Sequence, residues 1–206
     1  MKPPVWLKPA IFILLLIPMA LLAIAWARLL AGQDVRWMTA DPVAHTTREL
    51  GEWSLRSLLA ALAITPIARL SGYSPILACR RMVGLIAFTY VLCHWCFWMT
   101  MDLEWSPARL FHEISRHPYI LFGMTGFLCL LPLAITSTRG WVKRMGARKW
   151  QALHRIVYIA GAAGIIHYSM VLKGNQPSPK IYAVILFLLL IARYAPQQKW
   201  ARPSRR

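Results

Sequence analysis

The chain has 206 residues, of which 58% are hydrophobic and only 15% are charged, a balance that water-soluble domains do not show. The sequence therefore predicts a membrane protein. Six apolar stretches of about 20 residues would use roughly 120 positions and leave no loop long enough for a soluble catalytic domain. The net charge of +17 does not indicate nucleic-acid binding, because all seven acidic residues fall in two inter-span segments while basic residues concentrate in the others.

Six apolar segments can be marked in chain order, each a candidate transmembrane helix. The first, residues 10–27, has eighteen uncharged residues and is retained as an anchor, because it is longer than the apolar core of a signal peptide. In the second, residues 53–68, Arg56 interrupts the apolar run and Pro66 should kink the end. The remaining four are residues 82–101, 118–137, 154–172 and 181–194.

The placement of basic residues predicts how this bundle is oriented. With six spans both termini lie on one side of the membrane. The segments on that side carry sixteen basic residues, against seven in the opposite segments. By the positive-inside rule, we expect both termini to be cytoplasmic.

Three histidines fall in or at the mouth of predicted spans, namely His94, His154 and His167. His94 lies 13 residues past Arg81 and His167 lies 12 past Arg155, so both should sit about 18 to 20 Å above the inner ends of their helices. Two neutral imidazoles at one depth on different helices can ligate one haem iron from both faces. Alternatively, each histidine donates a hydrogen bond to a neighbouring helix and serves only in packing.

His154 lies 13 residues before His167 in the same predicted span, a rise of about 20 Å that suits a second haem in the inner leaflet. Thirteen steps of about 100° leave the two rings about 140° apart, so a shared face requires local unwinding. Gly161 and Gly164 could permit that unwinding. The alternative is an interfacial histidine beside Arg155, near the lipid headgroups.

Basic residues at the predicted inner side allow two interpretations. Arg80 and Arg81 open the third span, and further basic residues crowd the loop between the fourth and fifth spans. Attraction to anionic cytoplasmic lipids would explain this placement. The functional alternative is a cradle for haem propionates, a flavin phosphate or an acidic reductase surface, in which Arg80 or Arg81 lies closest to the bundle.

A series of motifs resembles those of the ferric-reductase-like transmembrane family. They comprise Thr-Pro-Ile-Ala-Arg at 65–69, Arg-Arg-Met-Val-Gly-Leu at 80–85, residues 90–94, Pro-Tyr at 118–119, Thr-Ser-Thr at 136–138, Trp-Gln-Ala-Leu-His-Arg at 150–155 and His-Tyr at 167–168. In this order they cover nearly the whole chain from residue 50 onward, whereas the tails and the first span carry little of the resemblance. We therefore expect residues 1–206 to form a single ferric-reductase-like transmembrane domain, an all-α integral membrane six-helix bundle.

The resemblance also implies a function. It implies b-type haem held by His94, His154 and His167, and an associated FMN. It implies that electrons pass from the quinone pool or a cytoplasmic flavin reductase to a periplasmic, molybdopterin-containing methionine sulfoxide reductase, which would carry the substrate catalysis, and that the chain lies in the bacterial inner membrane. The wider family keeps two histidines on each of the two haem-binding helices, whereas the third span here offers only one, so the sequence leaves open one haem or two.

Two other functions stay open on the sequence alone. A standalone metalloreductase would share the histidine pair and deliver electrons to extracellular ferric iron. A transporter or scaffold without redox chemistry would use the histidines as proton relays or packing groups. The presence of haem separates the last of these from the others.

Overall fold

The computed structural model describes residues 3–38, 40–172 and 177–194 and builds them from helices. The α-helices are α1 (Leu7–Leu30), α2 (Pro42–Ser71), α3 (Arg80–Met101), α4 (Pro107–Arg116), α5 (Tyr119–Ile135), α6 (Arg139–Met145), α7 (Ala147–His154), α8 (Val157–Val171) and α9 (Pro177–Tyr194). A 3-10 helix, Ser74–Cys79, joins α2 to α3. These ranges contain no β-strand, and the predicted all-α membrane bundle is confirmed.

Helix α2 is longer than the predicted second span. It begins at Pro42, where the Asp41 side chain accepts a hydrogen bond from the backbone N–H of Ala44 at 3.0 Å, an arrangement typical of a helix N-terminus. The helix continues through Pro66 and ends at Ser71, and the next residue, Gly72, has a φ of 73° that suits glycine. The turns of α2 before residue 53 carry charged residues, so the apolar segment that predicts the second span does not extend to them.

Two helical stretches among the described residues are long and apolar enough to cross a bilayer alone, Leu7–Leu30 and Ser74–Met101. Helices α4 and α5 qualify only as a pair, bent by 119° at the break between them. Helix α8 has 15 residues, fewer than the roughly 20 that a lone span needs. The count of six spans therefore stays a prediction.

Some of the basic residues that predict the orientation lie outside the described residues, namely Lys2, Lys173 and those from 199 onward.

Two helix pairs, α2 with α3 and α5 with α8, form the centre of the bundle. One buried cluster contains a residue from each of these four helices: Leu58, Ala87, Leu130 and Ala160. Helix α9 packs against α2 and α8, and α1 packs against α3. We refer below to the end where α2 and α5 begin and α3 and α8 finish as the outer end, following the predicted orientation.

The predicted fifth span, from residue 154, is divided in the structure. Helix α7 ends at His154 and α8 begins at Val157, so His154 and His167 belong to different helices. The helical break lies at residues 155 and 156, and Gly161 and Gly164 lie within α8. A Cβ on Gly161 would make an ordinary contact with Leu186 at 3.6 Å, and one on Gly164 with Leu55 at 3.7 Å.

Candidate functional site

His94 of α3 and His167 of α8 lie side by side in the outer half of the bundle. Their ring centroids are 6.3 Å apart and the ring planes are inclined by 81°. An imidazole nitrogen lies about 2 Å from a metal ion that it binds, so two rings on opposite sides of one ion have centroids about 6 Å apart. The two histidines are therefore at a separation that one shared metal ion requires.

A backbone carbonyl of the adjacent helix holds each ring. Nδ1 of His94 donates to the carbonyl oxygen of Thr47 in α2, and Nδ1 of His167 donates to the carbonyl oxygen of Tyr119 in α5, both at 2.8 Å. Because a carbonyl oxygen only accepts, Nδ1 carries the proton in both rings. Nε2 then keeps its lone pair, which is the form that a metal ligand needs.

Each ring also packs against a glycine that follows the accepting carbonyl by four residues. A Cβ on Gly51 of α2 would lie 3.2 Å from His94, and one on Gly123 of α5 would lie 2.9 Å from Nδ1 of His167. Sequence reasoning missed both residues. For Gly123 the available signal was a glycine inside an apolar helix, which costs about 1 kcal/mol relative to alanine and often marks close packing. Gly51 precedes the predicted second span and offered no such signal.

A cavity of about 530 Å³ opens beside the two rings, between α2, α3, α5 and α8. Away from the outer end its wall is apolar and includes Leu58, Leu130 and Ala160. The volume lies within the range of cofactor sites, which are mostly apolar with a few polar groups. The cavity can therefore enclose a large flat ligand with an apolar body.

Polar side chains line the cavity at its outer end, among them His45, Arg48 and Asp102. Burial raises the pKa of Asp102, and the nearby carboxylates of Asp41 and Glu113 raise it further. The protonated form of Asp102, which can donate a hydrogen bond, is thus favoured relative to a free aspartate. At this outer end, Arg48 is a cationic group that can bond to the anionic edge of a ligand.

Comparison with known proteins identifies the family. The family model described as "Ferric reductase like transmembrane component" matches residues 50–165. A protein of Rhodospirillum rubrum is 41% identical over 198 residues, covering 95% of this chain and 91% of that protein. Relatives from Caulobacter vibrioides and Xanthomonas campestris pv. campestris are 42% and 41% identical, covering 80% and 89% of this chain and 79% and 83% of their own lengths. All three are named "Protein-methionine-sulfoxide reductase heme-binding subunit MsrQ".

The chain belongs to the ferric reductase-like transmembrane family. Its resemblance to that family, read from the sequence, is confirmed. The matched residues include Gly51, His94 and Gly123, and they end two residues before His167. The most extensive of these alignments takes in 95% of the chain, so the relatives' similarity is not confined to the part that the family model matches.

The remaining predicted site residues of this family member lie at the inner end of the bundle. Arg80 is 14 residues before His94 on α3, about 20 Å along the helix. Arg80, Arg81 and His154 do not line the cavity. His154 stacks on Trp150 with ring centroids 3.8 Å apart, and its Nδ1 donates to the carbonyl oxygen of Trp150 at 3.0 Å. The structure thus brings together His94 and His167 and keeps the other three candidates apart from them.

Proposed function

We propose that this chain is a haem-binding membrane electron-transfer subunit in which His94 and His167 ligate one b-type haem. The pair of rings 6.3 Å apart, each with Nδ1 bonded to a carbonyl and Nε2 left as a lone-pair donor, carries the proposal. The haem-binding subunits named MsrQ, at about 41% identity, support it. The coarse assignment to a membrane electron-transfer component follows from the family.

The residues present fit a haem. The apolar wall accommodates a macrocycle that water excludes, and Arg48 at the outer end offers a guanidinium to the propionates. When bound, the haem supplies one-electron chemistry at its iron. The chain itself holds the two ligand rings in one tautomer, lines the cavity with apolar side chains and provides the charges around it.

We also propose the direction of electron flow. Electrons would come from the quinone pool or a cytoplasmic flavin reductase and leave to a periplasmic, molybdopterin-dependent methionine sulfoxide reductase. The relatives' name supports an association with such a system. The histidine pair in the predicted outer half supports delivery to the periplasmic side of the bacterial inner membrane, with both termini cytoplasmic. FMN, and a second haem near His154, Arg80 and Arg81, remain separate proposals that the His94–His167 site does not require.

Replacement of either ligand tests the main proposal. We expect His94→Ala and His167→Ala each to remove most of the Soret absorbance of the purified protein, because an iron with one protein ligand is held far less tightly. Haem per chain would be measured by pyridine haemochrome. His112→Ala is the matched control, since His112 is exposed on α4 and outside the cavity. The proposal would be contradicted by full haem content in both ligand variants. It would also be contradicted by colourless wild-type protein from haem-replete cells, a result that would favour a scaffold or transporter.

A further inference from the structure

Two oppositely charged side chains of α2, Glu52 and Arg56, lie beside the cavity. They form an ion pair across one helical turn, and their side chains are 13% and 36% exposed, respectively. Ionisable groups inside a membrane bundle are costly, and they usually mark function. Here the cost is offset by a specific set of partners.

Glu52 connects the two halves of the histidine site. It follows Gly51, which packs on His94, and it lines the cavity. Its Oε1 accepts a hydrogen bond from the hydroxyl of Tyr168 at 2.7 Å, and Tyr168 follows His167 in α8. The carboxylate therefore bridges the helix that cradles one ring and the helix that carries the other.

Arg56 is held on the side of Glu52 that does not face the cavity. Its Nε donates to the hydroxyl of Tyr182 in α9 at 2.9 Å, and its guanidinium lies over the Trp53 ring, 4.9 Å from the centroid. Glu52 lines the cavity and Arg56 does not. The negative member of the pair is thus the one closer to any ligand of the histidines.

We propose that the Glu52–Arg56 pair sets the reduction potential of the haem held between His94 and His167. This inference rests on the proposed function. One electron from the donor converts the ferric centre to the ferrous centre and lowers its charge by one. A fixed carboxylate at the cavity wall stabilises the more positive ferric form, and the guanidinium behind it opposes that effect, because charges interact strongly where water is excluded.

Midpoint potentials of the purified, haem-loaded variants test the pair. We expect Glu52→Gln to raise the ferrous-to-ferric ratio about tenfold at a fixed applied potential. For a one-electron couple this corresponds to a rise of about 59 mV in the midpoint potential. Arg56→Gln should lower that ratio by a smaller factor, because Arg56 does not line the cavity. The double variant should lie between the two single variants and keep a smaller rise than Glu52→Gln, because the nearer charge dominates the effect of the pair. Glu104→Gln is the control, because Glu104 pairs with Arg109 on the outer surface, where both side chains are more than half exposed.

The sign of the shifts distinguishes charge from structural damage. Shifts of the same sign in both single variants, or no shift in either, would overturn the inference. Arg56→Lys keeps the charge and should keep the wild-type potential; a shift as large as that of Arg56→Gln would also count against it. Haem-free wild-type protein would instead overturn the proposed function, so the two failures are distinguishable.

Discussion

At the scale of single residues, the site is built twice from the same parts. A carbonyl of α2 and a glycine four residues later hold His94, and a carbonyl of α5 and a glycine four residues later hold His167. The glycines matter because a Cβ would press on the ring, at 2.9 Å from Gly123 and 3.2 Å from Gly51. This arrangement explains how two ligands on separate helices can be oriented by hydrogen bonds to the backbone.

Alanine at Gly123 should therefore disturb the site directly. Its Cβ would lie 2.9 Å from Nδ1 of His167, so the ring or α5 must move, at a cost of about 1 to 3 kcal/mol for overpacking. We expect lower haem content and a changed low-spin EPR spectrum. Gly51→Ala, with its contact at 3.2 Å, should have a weaker effect.

Gly84→Ala is the matched control for these variants. Gly84 lies in α3, and a Cβ there would meet nothing within 4 Å. This variant should retain full haem and gain slightly in helix stability. Wild-type haem content and spectrum in Gly123→Ala would show that the glycine does not constrain the ring.

The histidine pair could be predicted from the sequence because depth along a helix follows from counting residues. The two glycines could not, because their role depends on which helices are neighbours. The same limit applies to Glu52, whose contact with Tyr168 joins positions 116 residues apart. The sequence predicts one span for His154 and His167, because no proline or charge cluster marks the helical break at residues 155 and 156.

At the scale of elements, α2 contributes most to the site although charged residues interrupt its apolar pattern. It supplies the carbonyl of Thr47, the contact of Gly51, and the ion pair of Glu52 with Arg56. The charged and small residues that lower its hydrophobicity are the ones that serve the cavity. A functional helix in a membrane bundle is for this reason harder to delimit from hydropathy than a lipid-facing one such as α1.

A buried hydrogen bond links α1 to α3. Tyr90 of α3 is fully buried, and its hydroxyl donates to the carbonyl oxygen of Leu15 in α1 at 2.7 Å. We expect Tyr90→Phe to reduce the stability of the detergent-solubilised protein by about 1 kcal/mol, seen as a lower thermal midpoint. Haem content before heating should be unchanged, because Tyr90 does not line the cavity.

Tyr73→Phe serves as the comparison, since Tyr73 is partly exposed just before the 3-10 helix. Its thermal midpoint should match the wild type. An equal midpoint for Tyr90→Phe would show that apolar packing alone fixes α1 to α3.

At the scale of the whole molecule, charge is segregated between the two ends of the bundle. The acidic residues fall within 34–52 and 102–113, near the outer end, whereas α6 and α7 at the other end carry basic residues only. This segregation could be predicted from the sequence. The bend of 119° between α4 and α5 could not, because it depends on how the amphipathic α4 lies against its surroundings.

The charge asymmetry predicts that the carboxyl terminus is cytoplasmic. Green fluorescent protein fused after residue 206 should fluoresce, and alkaline phosphatase at the same point should be inactive. Alkaline phosphatase inserted in the segment joining α3 and α4 should be active. The reverse pattern would place the histidine pair in the cytoplasmic half and would contradict outward electron delivery.

The main-chain anchors of the two rings have a consequence for mutational tolerance. An oxygen atom of the peptide backbone is present whatever amino acid occupies position 47 or 119, so no replacement there deletes the acceptor. Loss-of-colour mutants from an unbiased screen would accordingly fall at the two histidines and at the glycines that face them, whereas a replacement at position 47 or 119 can act only through its side chain.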